Sequence, residues 1–215
     1  MSDAKLSSTQ HRARPGDHLG RVAAYFGFKS YASLWNDTGN ADLRAQRHNP
    51  NILAQGDWIY VPKLELREVD RATEQRHRFR AELHPLELRL VLQSPDGKPS
   101  PDKPTDVVLD GKPIPFDAPA PGRVTVVVEP MSDRCLVRLA AREIVGRIGF
   151  LEPVSVVAGY RARLTNLGYD AGENDDPKDS RLRSAVEEFQ CDHGLVVDGK
   201  CGRDTQARLA AVHGC

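Results

Sequence analysis

The side chains that could carry covalent or metal chemistry lie near the C-terminal end of this 215-residue sequence. Cys191 and His193 stand two positions apart, Cys201 follows, and His213 and Cys215 flank a glycine. A thiolate beside an imidazole can act as a nucleophile with its base, both groups bind zinc, and two thiols can form a disulfide. These residue types therefore allow three chemistries: acyl transfer, zinc binding and a disulfide.

The spacing argues against a zinc site. Thr205, Leu209 and Val212 recur at helical period, so about ten helical residues at ~1.5 Å rise each hold Cys201 and His213 about 15 Å apart, too far for one ion. The acidic residues of an earlier turn lack the glycine and ligand order of a calcium loop: Glu173, Asp175, Asp176 and Asp179. We predict no metal site and no cofactor. A disulfide stays open, because the sequence does not indicate which pair among Cys191, Cys201 and Cys215 would form it.

The His-Gly-Cys sequence at 213–215 resembles part of the S-H-G-C motif of L,D-transpeptidases. Acyl transfer by a thiol needs a base and an oxyanion site within a walled cleft. Cys215 is followed by no segment that would build such a cleft, and Cys135 and His84 share no motif. We therefore expect a non-catalytic protein with no catalytic residues. An L,D-transpeptidase-like enzyme is kept as one alternative.

The overall composition excludes some classes of partner. Lys plus Arg and Asp plus Glu are both 30, so the formal net charge is zero and no strong field favours nucleic acid or an anionic membrane. The N-terminal sequence MSDAKLSSTQHRARPGD has no apolar h-region, and no apolar run approaches 18 residues. We predict neither a signal peptide nor a membrane span.

The uneven distribution of proline divides the chain. Nine of the 15 prolines fall between residues 84 and 122, and helical patterns lie on both sides of that stretch. We predict a multidomain α+β protein. Its expected parts are a flexible N-terminus (1–10), a small α+β module (11–66), a charged linker (67–78), a β-sandwich (79–155) and a helical module (156–215).

The first module is predicted to have the order strand, helix, helix, strand. Asp17 is placed to cap a helix whose apolar face recurs every three or four residues, and Ser30 to cap a second helix. A polar segment covers 36–51, and the run Trp58–Val61 predicts the closing strand. These features give a compact module of about 50 residues.

Three segments of this module resemble the LysM carbohydrate-binding family: HRARPGDHLGRVAAYFGF, the Asn49-Pro50-Asn51 loop, and AQGDWIYVP. The resemblance implies a glycan groove between two loops. The groove residues would be Gly16, Asp17, His18, Leu19, Pro50, Asn51, Ile52 and Leu53. His18 and Gly20 depart from the family pattern, which has hydroxyl residues after the Gly-Asp pair.

The middle of the chain is predicted to be all β. Leucines alternate with other residues from Leu86 to Leu92, the period of a strand with one buried face, and Asp96-Gly97 and Asp110-Gly111 indicate turns. The arrangement resembles transthyretin-like or immunoglobulin-like sandwich modules. That resemblance implies a spacer.

The last sixty residues predict three short helices joined by Asp- and Gly-rich turns, with Asp179 or Ser180 placed to cap the second helix. The segments YRARLTNLGY and SRLRSAVEEFQCDHGLVVDGKCGRDTQARL resemble the type 1 peptidoglycan-binding domain. The motif residues, mostly structural, are Leu164, Leu167, Gly168, Tyr169, Phe189, Gln190, Asp198, Gly199, Gly202 and Thr205. The first glycine-containing turn of the family is replaced by GENDDPKDS.

Together these resemblances imply a non-catalytic peptidoglycan-binding adaptor. Two weak sites on one chain would gain avidity against a repeating polymer. The combination of modules also resembles accessory proteins of contractile injection systems such as type VI secretion, so a second hypothesis is an interaction protein whose LysM-like module docks a spike or baseplate protein. We expect synthesis in the cytoplasm and action at the cell wall or periplasm after export by a specialised system.

Overall fold

The computed structural model describes residues 7–65, 70–78, 86–94 and 98–215. Its helices and strands follow one another in three groups. The strands are β1 (Thr9–Arg12), β2 (Trp58–Val61), β3 (Leu86–Val91), β4 (Asp106–Leu109), β5 (Lys112–Pro113), β6 (Phe116–Asp117), β7 (Arg123–Val128), β8 (Arg134–Arg138) and β9 (Glu143–Arg147). The α-helices are α1 (Leu19–Tyr25), α2 (Ala32–Trp35), α3 (Ala41–Gln46), α4 (Val157–Asn166), α5 (Ser180–Asp192) and α6 (Arg203–His213).

Some sequence predictions lie outside the described residues, namely the Asp96-Gly97 turn, His84 and the first six residues. Within the described part of the linker, residues 70–78, there is neither helix nor strand. Strand β1 begins at Thr9, two residues before the predicted start of the first module. No helix among the described residues is long and apolar enough to span a membrane.

The N-terminal module is an antiparallel two-stranded ribbon whose inner face packs on three short helices. Thr9 lies opposite Val61 and Arg12 opposite Trp58. One apolar cluster joins ribbon and helices: Ala13, Leu19, Val22, Ala23, Leu34, Leu43, Leu53, Ile59 and Val61. Since successive strand residues point to opposite faces, the other face of the ribbon is left to solvent.

The polar segment predicted over residues 36–51 contains helix α3, which the buried side chain of Asn40 helps to position. Its buried side chain donates to the carbonyls of Leu34 (2.9 Å) and Tyr60 (2.7 Å) and accepts from the Tyr60 N–H (2.8 Å). A short 3₁₀ turn, Thr38–Asn40, thereby docks on the end of β2, and α3 follows with Leu43 in the core. The two bonds to Tyr60 join residues 20 positions apart, so local sequence gave no signal of them.

The middle module has two antiparallel sheets, with strand orders β3-β7-β6 and β5-β4-β8-β9. Both sheets contribute to one core that includes Val107, Val126 and Val137. The predicted alternation holds, because Leu86, Leu88 and Leu90 pack against this core while the residues between them are exposed. Among the described residues of this module, two antiparallel sheets thus pack on one shared core.

The C-terminal module consists of α4, α5 and α6 around a core centred on the fully buried Phe189. Asp179 caps α5 as predicted, since its Oδ1 accepts from the Arg181 and Leu182 N–H groups. Arg163 is 1% exposed, and its guanidinium donates to the carbonyls of Glu152 (2.7 Å), Gly159 (2.8 Å) and Cys215 (3.0 Å). Arg163 therefore joins the connecting segment, α4 and the residue after α6.

Candidate functional site

The Asp198-Gly199 turn of the C-terminal module is held by the buried side chain of Gln190 in α5. The Gln190 amide nitrogen donates to Asp198 Oδ1 (2.9 Å), the Lys200 carbonyl (3.0 Å) and Thr205 Oγ1 (3.0 Å). Its oxygen accepts from the N–H groups of Asp198 and Gly199, both at 3.0 Å. One side chain thus fixes the turn and the start of α6.

Asp198 gives this turn a negative charge, and Gly199 allows its backbone conformation. Hydrogen bonds from the Lys200 N–H and then from Gln190 hold the pKa of the Asp198 carboxyl below its ordinary value of 3.8, so the carboxylate stays ionised at neutral pH. Gly199 has φ +68, and a Cβ there would lie 2.7 Å from Glu187 Oε1 and 2.8 Å from Arg183 Cγ. Both the backbone conformation and the close neighbours therefore favour glycine.

The other motif residues build the fold of the same module. Leu164, Phe189 and Thr205 are buried. The Tyr169 ring meets Phe189 edge-on with 5.7 Å between centroids, and its hydroxyl donates to Asp192 (2.9 Å). Burial, reinforced by that bond, raises the pKa of Tyr169 to about 12. Three motif residues lie at the edges of the helices. Leu167 is partly buried against the core, Gly168 follows α4 with φ +99, and Gly202 precedes α6.

This three-helix module, with the turn held by Gln190, is the part of the chain that matches a family model. Residues 157–209 match the model of a family described as a putative peptidoglycan binding domain. The match runs from the first residue of α4 to Leu209 in α6. It supports a C-terminal peptidoglycan-binding domain. No curated protein and no solved structure matches the chain.

Two valines beside the turn were not singled out from the sequence. Val196 is 82% exposed and Val197 is 55% exposed, immediately before Asp198. The sequence signal is a run of three apolar residues, 195–197, between Gly194 and Asp198, and the run is too short to show a helical or strand period. The valines place apolar surface next to the carboxylate of Asp198.

The two loops predicted to form a glycan groove in the N-terminal module do meet. The Leu19 N–H donates to the Pro50 carbonyl (3.0 Å). Asn51 is exposed, Pro50 and Ile52 are half-buried, and Leu53 belongs to the core. The second loop is therefore accessible mainly at Asn51 and its neighbours.

The first loop is covered by the middle module. Gly16 and Leu19 are buried, and a Cβ on Gly16 would lie 2.8 Å from the Phe150 ring. On the other side a Cβ on Gly149 would come within 2.4 Å of the Gly16 carbonyl oxygen. Arg21 closes this contact by donating to the Ser132 carbonyl and to Asp133 Oδ1, both at 2.7 Å.

His18 lies inside this contact and is only 4% exposed. Its Nδ1 accepts from the Arg21 N–H at 3.3 Å, so His18, rather than the predicted Asp17, caps α1. Asp17 instead closes the loop, with Oδ2 accepting from the Arg14 N–H and meeting His11 Nε2 at 2.8 Å. Burial and then the Arg21 charge lower the pKa of His18 to about 4, against smaller opposing effects of Asp17 and the Pro130 backbone. The imidazole is therefore neutral at pH 7.

The cysteine and histidine residues at the C-terminal end form a chain of contacts. His213 Nδ1 lies 3.0 Å from Cys215 Sγ, and His213 Nε2 lies 3.0 Å from Asn166 Nδ2. Burial raises the pKa of the Cys215 thiol and lowers that of His213 to about 4, which is opposite to the shifts that create a thiolate and an imidazolium. All four cysteines are free thiols, and no three metal-ligating side chains converge within the described ranges.

Proposed function

We propose that this protein is a non-catalytic adaptor that binds peptidoglycan through its C-terminal module. The family match over residues 157–209 carries the proposal. The Gln190 network supports it, because the turn that follows α5 is held rigidly while its preceding residues face solvent. A rigid exposed turn can meet a stiff polymer without first losing conformational freedom.

The chemistry of the exposed turn suits such a polymer. Val196 and Val197 offer apolar surface of the size of an acetyl methyl group, and exposed Lys200 offers a cation to the carboxylates of stem peptides. Small ligand sites commonly combine an apolar floor with a few placed polar groups. We therefore assign the wall contact to residues 195–200.

Retention on insoluble peptidoglycan sacculi tests this function. We expect the full chain to cosediment with sacculi and the double variant V196S/V197S to bind at least ~tenfold more weakly, since about 1.4 kcal/mol of lost apolar contact suffices for that change. V145S is the matched control, because Val145 is 51% exposed in the middle module. No retention of the unaltered chain would refute wall binding, and equal retention of all three proteins would refute the assigned contact.

A second candidate function is the docking of a protein partner, such as a spike or baseplate component, by the N-terminal module. The observation that favours it is the cover over Gly16–Leu19, which leaves little of the groove implied by the LysM resemblance open to a glycan. The double variant N51A/I52S separates the two possibilities. Weaker retention on sacculi would indicate a glycan contact at this module, whereas unchanged retention favours the docking role.

A further inference from the structure

We propose that the outer face of the β1–β2 ribbon binds an acidic saccharide, with a pyranose ring on Trp58 and a carboxylate on Arg12. This face is distinct from the covered loop and from the C-terminal turn. Gln10, Arg12, Trp58 and Tyr60 share it, because they alternate with the inward-facing residues of both strands.

Trp58 supplies the platform of this proposed site. The indole is 60% exposed although tryptophan is among the largest apolar side chains, and such exposure is informative because most large aromatic side chains are well buried. The Arg12 guanidinium lies over the ring, 5.7 Å from its centroid. This cation–π contact holds the guanidinium beside the indole before any ligand arrives, and the indole surface that Arg12 leaves exposed can accept the apolar face of a sugar ring.

An open cleft of about 650 Å³ begins beside Arg12. Arg12, Arg14, Gln10 and Gln55 line it, together with Gly56, which lies under the Arg12 guanidinium. A Cβ on Gly56 would stand 3.5 Å from Arg12 Nη2. The residues that line the cleft thus include two arginines and two glutamines, which gives it a cationic and polar character.

The charges around the cleft are unbalanced in favour of an anion. The nearby carboxylates already have partners: Asp57 accepts from Arg47 at 2.8 and 2.9 Å, and Asp17 contacts His11. Within the described part of the chain, neither Arg12 nor Arg14 has a carboxylate partner. A guanidinium fork matches a carboxylate in a bidentate geometry, so the cleft favours a sugar that carries a carboxylate over a neutral one.

Titration of the full ¹⁵N-labelled chain with two soluble probes tests the proposal. The acidic probe is the disaccharide of N-acetylglucosamine and N-acetylmuramic acid with a free lactyl carboxylate, and the neutral probe is N,N′-diacetylchitobiose. We expect the acidic probe to shift the Trp58 indole N–H signal and to bind at least ~tenfold more tightly than the neutral one. Trp35, the other tryptophan, lies against the core and serves as an internal reference.

Variants complete the test. R12Q should weaken binding of the acidic probe about tenfold and abolish the preference over the neutral probe, and W58A should weaken binding of both probes. R123Q, which alters an exposed arginine of the middle module, should change neither. Equal affinity for both probes, an unshifted Trp58 signal, or undiminished binding by R12Q with native-like spectra would overturn the proposal. Because the probes are soluble, these results do not depend on whether residues 195–200 retain the chain on sacculi.

Discussion

The two glycine-containing turns that the sequence associates with wall binding are held in opposite ways. The Asp198-Gly199 turn is fixed from inside its own module by Gln190, and its neighbour Val196 remains exposed. The Gly16–Leu19 loop is fixed from outside by the middle module and is largely buried. The two turns were predicted from similar motifs but differ in solvent accessibility. Bonds from Gln190, within the same module, leave the Asp198-Gly199 turn exposed, whereas the contact with the middle module covers the Gly16–Leu19 loop.

Acidification should destabilise the contact that holds the Gly16–Leu19 loop, and this is the largest effect we expect. The pKa of His18 falls from its ordinary 6.5 to about 4 in the folded protein, mainly through burial. Between these values the unfolded chain holds a proton that the folded chain does not, so the free energy of unfolding decreases as pH falls from 6.5 to 4, by about 3 kcal/mol. Urea unfolding at about pH 7 and about pH 4 measures the change.

The variant H18Q controls for other titrating groups. It cannot titrate at this position but keeps His213, whose pKa burial also lowers to about 4. We expect a shallower dependence of stability on pH in H18Q. A dependence as steep as that of the unaltered protein would show that His18 is not the responsible group.

Removing the hydrogen bonds of the Gln190 side chain should have the next largest effect on the free energy of unfolding. Q190A deprives the Asp198 and Gly199 N–H groups of their acceptor and Thr205 of its partner, which should cost about 2 to 3 kcal/mol of unfolding free energy. Chemical denaturation measures this loss, and hydrogen exchange shows whether it is located in α5 and α6. Q46A alters an exposed glutamine at the end of α3 and should leave stability within about 0.5 kcal/mol. Equal stability of both variants would contradict the view that Gln190 stabilises the turn and the start of α6.

Loosening the external contact should have a smaller effect. R21M removes the donor to Ser132 and Asp133, and we expect a loss of about 1 to 2 kcal/mol because the Asp133 side chain is 65% exposed and screened by water. Faster hydrogen exchange at residues 16–19, with no change in α5 and α6, is the expected signature. Unchanged exchange in R21M, compared with the exposed-site variant R123M, would indicate that this arginine does not hold the loop.

The smallest expected effect concerns the cap of α5. D179A removes the acceptor for the Arg181 and Leu182 N–H groups and should cost about 1 kcal/mol. E188A changes an exposed carboxylate on the same helix and should cost less. Thermal unfolding of the two variants gives the comparison. A larger loss in E188A than in D179A would mean that the Asp179 cap does not govern this helix.

Local patterns predicted much of the fold and little of the site's accessibility. Three features depend on residues a few positions apart and were predicted from the sequence. They are the strands at both ends of the first module, the alternation in β3 and the cap at Asp179. Helix α3 was missed because Asn40 acquires its partners only when β2 returns beside it. The helical cap was assigned to Asp17 because aspartate is the commoner cap, whereas His18 occupies that position.

The cover over Gly16 was beyond prediction for a similar reason. Arg21 and Ser132 are 111 positions apart, and Phe150 has no sequence feature that marks it as a neighbour of Gly16. Contacts of this range depend on how two modules pack, which periodicity and turn chemistry do not encode. The glycan groove over Gly16–Leu19 and Pro50–Leu53 therefore stays a prediction whose first loop is structurally enclosed.

Arg163 has a mechanical consequence if the C-terminal module binds a wall polymer as proposed. Its guanidinium binds the carbonyl of Glu152, just before the C-terminal helices, and that of Cys215, just after them. Tension between such a polymer and the rest of the chain would enter the module near Glu152 and would strain these bonds before α4 separates from its neighbours. The resistance of that attachment to force would then depend on the rate at which these bonds and the core they accompany give way, rather than on the equilibrium stability of the helices alone.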